Sequence, residues 1–343
     1  MTTAYDAILI VSFGGPEGRD DVLPFLENVL RGKDVPRARM LEVAEHYQQF
    51  GGVSPINEQN RRLIAALEQL LAAEGPALPI YWGNRNWHPL LPDTLRQMHS
   101  DGRRRGLALV TSAYSSYSGC RQYLEDIEQA RAQVGPGAPE VHKLRVFYNH
   151  PGFIGPTRER VREALAQILT ARRGATRLVF TAHSIPLAMS RGCAYTAQLE
   201  GACRLVAEAF PELPWQLAYQ SRSGPPSQPW LEPDIEPALR QLHAGGETSD
   251  VVVVPIGFIS DHLEVLYDLD TAARALCETL GLNMVRAATV GTHPRFVRMI
   301  RELILERTAG AEQRWLGTQG PGHDFCPADC CPSGRPARSA VAS

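Results

Sequence analysis

The sequence lacks the features that mark several common classes of protein. Its 343 residues carry a formal net charge of −2, which provides no overall attraction to nucleic acid or to an acidic membrane. No uninterrupted apolar run of about 18 residues occurs, so we expect no transmembrane anchor. The start, MTTAYDAILIVSFGG, lacks the basic segment and the long apolar segment of a secretory signal. We therefore expect a cytoplasmic protein that does not bind nucleic acid.

Nucleotide-binding motifs are also missing. There is no GxxxxGK[ST] sequence, and the glycine-rich stretch SFGGPEG at 12–18 does not match GxGxxG. The sequence therefore gives little support to a dinucleotide site.

Cysteine is sparse and unevenly distributed. Four of the seven cysteines are scattered along the chain, while Cys326, Cys330 and Cys331 lie close together near its end. A reducing cytoplasm disfavours a disulfide framework. The three clustered thiols therefore predict a metal site.

What is present is a soluble α/β pattern, with 44% hydrophobic and 21% charged residues and a length typical of about two domains. Apolar strand-like runs alternate with amphipathic helical segments, which predicts parallel sheets covered by helices. The strands are predicted near 7–13, 78–83, 106–114, 143–149, 176–184, 215–221, 250–259 and 283–288. The helices are predicted near 18–31, 38–48, 61–74, 121–134, 155–172, 195–210, 232–243, 260–281 and 293–308. The pattern runs twice, which predicts two doubly wound domains with a cleft between them.

The predicted domains are 1–135 together with 290–310, then 136–289, followed by a tail at 311–343. The tail is rich in glycine and proline and has little apolar surface to bury, so it should not order by itself. Metal bound by its cysteines could order its first part, because binding free energy then contributes to folding. The end of the tail is expected to be disordered.

Polar residues gather where buried strands end, which in an open α/β sheet is where ligands bind. His183 follows the run VFTA, and GFISDHLEVLYDLD at 257–270 follows VVVVPI. If the two strands share a sheet, His183 and Glu264 face each other. The structural alternatives are a histidine bonded to backbone and a first-turn carboxylate favoured by the helix dipole, a role that Asp261 fits better. His262 is expected at the surface or behind the site.

Five motifs make the chain resemble the ferrochelatases, which insert ferrous iron into a porphyrin. They are SFGGPE, FGGVSPIN (50–57), FTAHSIP (180–186), YQSRSGPPSQPWLEPD (219–234) and VPIGFISDHLEVLYDLD (254–270), in order across roughly 5–308. FLENVLRGKDVP and YWGNRNWHP make it similar to the actinobacterial form, which acts on coproporphyrin III. The resemblance implies a chelatase-like fold of two similar Rossmann-like domains. Each would hold a four-stranded parallel sheet flanked by helices.

The resemblance also implies a reaction and its residues. The chain would insert Fe²⁺ into coproporphyrin III to form Fe-coproporphyrin III in haem b biosynthesis. His183 would be the metal ligand and proton acceptor, and Glu264 a second iron ligand or a proton outlet. Asp268 and Asp270 would continue an acidic path, with Asp261, Glu264 and Asp268 on one face by helical spacing. Ala272 stands where some relatives carry another acid, which puts an outer metal site in doubt.

A porphyrin is flat and apolar with acidic edges, so it needs aromatic and aliphatic walls and polar groups at the rim. By resemblance, Ser54 and Tyr123 contact the tetrapyrrole. Some relatives have a tyrosine at position 13, whereas this chain has phenylalanine, so no phenolate can reach the iron there. Candidate walls or rim groups are Phe13, Ile56, Tyr114, Tyr117, Tyr123 and Trp230. Candidate propionate partners are Arg31, His46 and Tyr47, which could instead form a solvated helix face.

Several ferrochelatases carry a [2Fe–2S] cluster on one internal and three C-terminal cysteines, so the resemblance implies such a cluster here. Its ligands would be Cys326, Cys330 and Cys331 with Cys120, or with Cys193 as second choice. Zinc is the competing metal, and disordered thiols that bind no metal are the plain alternative.

Other functions stay open at this point. They are a protoporphyrin IX ferrochelatase, a cobalt chelatase of the same fold, and a haem- or cluster-binding sensor without catalysis. The expected partners are coproporphyrin III and ferrous iron, with transient contact to neighbouring enzymes of the haem pathway.

Overall fold

A computed structural model describes residues 4–33, 35–225, 227–246 and 248–334. Within these ranges the chain forms two four-stranded parallel sheets, with strand orders β2-β1-β3-β4 and β6-β5-β7-β8. The strands are β1 (Ala7–Ser12), β2 (Ile80–Asn84), β3 (Arg105–Val110), β4 (Glu140–Lys143), β5 (Arg177–His183), β6 (Trp215–Gln220), β7 (Asp250–Val254) and β8 (Asn283–Arg286).

Helices connect the strands and cover the sheets. They are α1 (Val22–Leu30), α2 (Arg37–Gln49), α3 (Ile56–Glu74), α4 (Leu91–Ser100), α5 (Gln122–Val134), α6 (Pro151–Ala166), α7 (Leu187–Ser190), α8 (Tyr195–Ala207), α9 (Ile235–Ala244), α10 (Leu263–Val265), α11 (Arg274–Leu280) and α12 (Pro294–Ala309). Two π-helices, Tyr117–Arg121 and Leu266–Ala273, lead directly into α5 and α11. Among the described helices, none combines the length and apolar character needed to cross a bilayer.

Alternation along each strand explains why both faces of the sheets are covered. In β7, Val251 and Val253 pack with α9 and α11, whereas Val252 and Val254 pack with α6 and α8. Successive side chains of a strand point to opposite faces, so a run of four valines fills two layers. The predicted fold class of two doubly wound sheets is confirmed.

The two sheets share one hydrophobic core. It includes Ile8 and Leu107 from the first sheet and Leu178 and Val252 from the second, together with residues of α12. The helix α12 packs against α3 in the first half and α6 in the second. Its Arg298 pairs with the Glu74 carboxylate at 2.7 Å, so this helix contacts the first half of the chain as well as the second.

One strand lies elsewhere than the sequence suggested. A strand was predicted at 143–149 in the second domain, but β4 ends at Lys143 and pairs with β3 in the first sheet. The residues after it are buried without being a strand. A short apolar run does not distinguish a strand from a buried connection. The predicted domain boundaries stay a prediction.

The tail is better anchored than its composition suggested. Residues 311–334 form no helix or strand, yet the Leu316 amide donates to the Asn149 carbonyl at 2.9 Å, and the Tyr148 hydroxyl donates to Gln319 at 2.8 Å. These hydrogen bonds hold the described tail on the body of the protein. Residues 335–343, predicted to be disordered, lie outside the described ranges.

Candidate functional site

His183 is the last residue of β5 and stands where the buried strand reaches the surface. Its side chain is 33% exposed. Its Nδ1 lies 2.5 Å from the Ser184 carbonyl oxygen, which can only accept a hydrogen bond. The proton therefore sits on Nδ1, and in the neutral ring Nε2 keeps its lone pair. The backbone bond considered as an alternative is present, but it leaves this second nitrogen available.

Glu264 lies opposite that nitrogen. Its Oε2 is 3.7 Å from His183 Nε2 and 3.9 Å from His262 Nδ1, and its side chain is 50% exposed. It stands in the first turn of α10, which begins directly after the extended residue His262. Burial lowers the pKa of His262, which favours its neutral form. The two strand ends therefore bring an imidazole nitrogen and a carboxylate together at an open face.

Asp268 stands one turn further on, in the π-helix Leu266–Ala273. Its Oδ2 accepts from the Ser221 hydroxyl at 2.5 Å and from Gln220 at 3.3 Å. Burial raises the pKa of Asp268 to about 6, and the charge of Glu264 adds to that rise. A π-helix inserted in an α-helix is frequent at functional sites. This carboxyl group can take up or release a proton near neutral pH beside Glu264.

The predicted grouping of Asp261 with Glu264 and Asp268 is wrong. Arg286 binds Asp261 at 3.0 Å and Asp270 at 2.8 Å, so these two acids form a separate ion-pair group. Asp261 lies before the first helical residue, and the π-helix changes the spacing after Val265. Regular α-helical spacing therefore does not apply to this segment.

The first half of the chain closes over the site helix. Leu263, next to Glu264, packs in one cluster with α1 and α2 that includes Phe25 and Tyr47. The Tyr47 ring lies 5.7 Å from the Phe25 ring, and Phe13 contacts Phe25 edge-on at 6.2 Å. Burial raises the pKa of Tyr47, and the nearby Glu264 charge raises it further. Tyr47 is therefore a buried neutral phenol and does not lie on a solvated helix face.

Arg85 lies beside two candidate site residues and was missed by the sequence reasoning. Its guanidinium lies 4.9 Å from the Tyr123 ring and 5.7 Å from the Phe13 ring, and it pairs with Asp126 at 2.6 Å. It follows β2 in the motif NRNWHP, which was noted only as a point of resemblance. The mostly buried Arg85 guanidinium, 11% exposed, thus lies between two side chains that the sequence proposed as porphyrin contacts.

Ser54 and Ile56 lie against the glycine turn after β1. A Cβ on Gly15 would come within 2.7 Å of the Ser54 Cβ and 2.8 Å of an Ile56 methyl group. Only glycine allows so close an approach. The motifs SFGGPE and FGGVSPIN therefore meet in space.

The candidate propionate partners have different surroundings. The His46 ring stacks on Tyr267 of the π-helix, with ring centroids 3.8 Å apart and planes 12° apart. Arg31 is exposed at the end of α1 and donates to Asn28 at 2.5 Å. His46 thus joins α2 to the site helix, whereas Arg31 faces solvent.

The long loop after β6 packs on the segment that follows His183. Trp230 is buried and bridges to Pro186, and the Leu231 amide donates to the Ile185 carbonyl at 3.0 Å. Within the described residues the buried indole nitrogen of Trp230 has no hydrogen-bond acceptor. The loop therefore holds the segment that immediately follows His183.

The hydroxyl groups of two other candidate walls, Tyr114 and Tyr117, bond to partners other than His183 and Glu264. Tyr114 is fully buried and its hydroxyl donates to the Ile256 carbonyl at 2.9 Å, so it belongs to the core between the halves. Tyr117, the first residue of the π-helix Tyr117–Arg121, donates to Glu125 at 2.8 Å. Both residues follow the end of β3, and the sequence does not reveal which side chains of such a connection turn into the core.

Four thiols converge at a second place. Cys120 is hydrogen-bonded to Cys326 and Cys331, and the Sγ atoms of Cys330 and Cys331 lie 3.4 Å apart. The two thiols and the Lys143 ammonium lower the pKa of Cys120, while the pKa values of Cys326 and Cys331 are raised. The sulfur atoms of Cys326 and Cys331 thus lie within hydrogen-bonding reach of the Cys120 sulfur.

Cys193 and His323 stand at the edge of this thiol group. The Cys193 sulfur lies 3.7 Å from the Ser190 carbonyl, outside the hydrogen-bonded set. His323 Nε2 lies 3.7 Å from Cys330 Sγ, and the ligand atoms of His323, Cys326 and Cys330 all lie within 4.8 Å of one another. The sequence analysis did not propose His323 as a metal ligand, because its spacing from the cysteines matched no metal-binding motif. A cavity of about 420 Å³ borders Cys330, Cys331, Cys193 and His323, and neither His183 nor Glu264 lines it.

Comparison with known proteins points to one family. The ferrochelatase profile matches residues 5–308. A ferrochelatase from Rhodopirellula baltica is 58% identical over 95% of this chain and 93% of that protein. A coproporphyrin III ferrochelatase from Streptomyces coelicolor is 51% identical over 98% of this chain and 96% of that protein. The cobalt complex of the sirohydrochlorin chelatase SirB from Bacillus subtilis subspecies spizizenii superposes with a TM-score of 0.52 at 11% identity, covering 89% of this chain and 95% of that one. The last match reflects a shared fold.

Proposed function

This chain belongs to the ferrochelatase family, and from that premise we propose that it inserts ferrous iron into coproporphyrin III to form Fe-coproporphyrin III. The observation that carries the proposal is the 3.7 Å approach of His183 Nε2 and Glu264 Oε2 at an open face. Relatives about half identical to this chain bear the name of the coproporphyrin enzyme.

The proposed chemistry needs a base and a place for iron beside the ring. Insertion replaces two pyrrole N–H protons with one metal ion and transfers no electron. The free Nε2 of His183 is suited to accept a proton or to ligate Fe²⁺. Glu264 then serves as the opposing ligand or passes a proton to Asp268, whose pKa of about 6 lets it hold one briefly.

The proposed ring site lies on the first half of the chain. Phe13 and Tyr123 offer aromatic surface, Ser54 a hydroxyl group, and Arg85 a cation between the two rings. Arg31, His46 and Tyr47 stay candidates for the propionate groups, and Trp230 for the rim on the second half. A flat apolar ligand with acidic edges suits this combination.

The test is anaerobic Fe²⁺ insertion into coproporphyrin III and protoporphyrin IX, run side by side and followed by the porphyrin absorption spectrum. We expect rapid turnover of coproporphyrin and slow turnover of protoporphyrin. The reverse preference would move the protein to the protoporphyrin route. Binding of both porphyrins without turnover of either, with Co²⁺ as well as with Fe²⁺, would replace the enzyme by a sensor.

We further propose a [2Fe–2S] cluster on Cys120, Cys326, Cys330 and Cys331. The four thiols fit such a group, because they converge from the start of a helix and from the tail and contact one another there. The cluster supplies no step of metal insertion; when bound, its binding free energy adds to folding. Zinc is the alternative occupant, and its donor set could include His323.

A further inference from the structure

Lys143 is a buried cation to which the proposed porphyrin site assigns no role. It is one of only two lysines in the chain and the last residue of β4, and it is 9% exposed. A buried ammonium group is costly unless an opposite charge and hydrogen-bond acceptors surround it. Its position therefore requires an anion nearby.

No carboxylate supplies that anion among the residues that the structure describes. The Lys143 Nζ donates to the Leu144 carbonyl at 3.0 Å, which satisfies one of its three protons. Its ammonium instead shares a side-chain hydrogen bond with the Cys120 sulfur and lies close enough to Cys326 to act on that thiol electrostatically. The lysine thus lies beside the thiol group on its buried side.

The other basic residues at the thiol group have different tasks. Arg121 donates to the carbonyl oxygens of Cys330, at 2.9 Å, and Pro327, so its guanidinium holds the cysteine loop through backbone. His323 is exposed and approaches Cys330 from the solvent side. Lys143 is therefore the buried cation directed at sulfur itself.

We propose that Lys143 is the internal countercharge of the metal–thiolate centre on Cys120, Cys326, Cys330 and Cys331. This inference rests on the proposed cluster. Four thiolates around an oxidised [2Fe–2S] core leave a net charge of about −2, which a buried ammonium offsets. Charge and hydrogen bonds next to cluster sulfurs set the reduction potential and the retention of the metal.

The test compares Lys143→Met with Lys143→Arg and with Lys33→Met, which makes the same change at the exposed second lysine. Reduction potential is measured by anaerobic spectroelectrochemistry, and cluster loss by the rate at which a chelator removes iron. Lys143→Met should lower the potential and speed iron loss by about tenfold, since the reduced cluster carries more negative charge. Lys143→Arg should recover much of both.

A cluster-free background separates the countercharge from simple packing. In a Cys326→Ala chain the lysine faces fewer anions, so adding Lys143→Met should raise the thermal midpoint, whereas it should lower the midpoint of the cluster-loaded protein. If the lysine acted only through packing, Lys143→Met would change the thermal midpoint in the same direction in both backgrounds.

The outcomes distinguish the two proposals. A loaded Lys143→Met protein with the potential and iron-loss rate of Lys33→Met would overturn the countercharge and leave the cluster standing. Absence of iron and acid-labile sulfide from the unaltered protein would overturn the cluster and the countercharge together. If Lys143→Met does not fold, Lys143→Gln replaces it in the measurements of potential and iron loss. Folding of the same variant in the Cys326→Ala background then shows whether the bound cluster determines if the variant folds.

Discussion

At the residue scale, one hydrogen bond determines which ring nitrogen of His183 carries the proton. The Ser184 carbonyl fixes the proton on Nδ1, so Nε2 faces Glu264 with its lone pair. The sequence placed both side chains at strand ends, but the choice of nitrogen depends on backbone geometry. A reversed ring would present a donor to the metal and disable the site.

His183→Ala should lower the rate of iron insertion by about 10²- to 10⁴-fold, because it removes the proposed ligand and proton acceptor together. Porphyrin binding should persist, since the ring site lies on other residues. The rate is measured anaerobically by absorption, and binding by fluorescence quenching. His243→Ala, at the exposed end of α9, is the control and should act like the unaltered chain. Full turnover by His183→Ala would remove this residue from the mechanism.

Asp268 makes stability depend on pH. Its pKa is about 6 in the folded chain and near 4 in the unfolded chain, so protonation stabilises the fold, and this contribution is lost as pH rises through about 6. Asp268→Asn cannot ionise and should raise the free energy of unfolding at pH 7.5 by about 2 kcal/mol, with a smaller gain at pH 4.5. Urea unfolding at the two pH values measures this difference.

Asp270→Asn is the contrasting variant for that experiment. It breaks the 2.8 Å contact with Arg286, so it should destabilise the protein at pH 7.5. A gain for Asp268→Asn that is equal at both pH values would show that charge is not its cause.

At the element scale, β5 and the turn after β7 must touch for the site to form. The Gly257 amide donates to the Thr181 carbonyl at 3.0 Å, and a Cβ at Gly257 would lie 2.6 Å from the Ala182 Cα. Ala182 immediately precedes His183. The glycine in VPIGFI therefore lets the two strand ends approach each other.

Gly257→Ala should destabilise the protein by about 1–3 kcal/mol and lower turnover, because only backbone is available to move and that backbone carries His183. Gly174→Ala is the matched control, since nothing lies within 4 Å of its added carbon. Unfolding and insertion rates are measured for both. Two variants with equal stability and turnover would refute the close approach.

The π-helix is the element that sequence spacing could not reveal. Acid positions 261, 264 and 268 suit one face of an α-helix, yet the chain is extended at His262 and π-helical from Leu266. Hydrogen-bond pattern depends on the packing of the whole segment against its sheet. Arg286, from β8, forms ion pairs with Asp261 and Asp270.

At the scale of the whole molecule, the tail ties the two halves together. Arg121, after Cys120, holds the carbonyl oxygens of the cysteine loop, while a Cβ on Gly192 would lie 2.8 Å from Pro332. The second contact lies just after α7, on the chain that leaves His183. Cluster binding should therefore stabilise the join between the halves.

Cys120→Ser should abolish the visible absorption of the proposed cluster and lower the thermal midpoint, whereas Cys193→Ser should retain both. The reason is that Cys120 is hydrogen-bonded to two tail thiols and Cys193 to none. Cluster binding is measured from the absorption spectra and iron content of the two purified variants. If Cys120→Ser retained the cluster absorption and Cys193→Ser lost it, Cys193 would be the internal ligand in place of Cys120.

The sequence by itself determined the fold class, the family and the identity of the facing pair. Strand runs such as VVVV dictate two buried faces, and the strand-end motifs FTAHSIP and GFISDHLE carry their polar residues at the ligand-binding edge. Only tertiary structure decided that Tyr114 is core, that Arg85 lies between Phe13 and Tyr123, and that β4 joins the first sheet. It also decided that Cys120, and not Cys193, is hydrogen-bonded to the tail thiols. These outcomes depend on contacts between residues far apart in the chain. Local periodicity and spacing carry no information about such contacts.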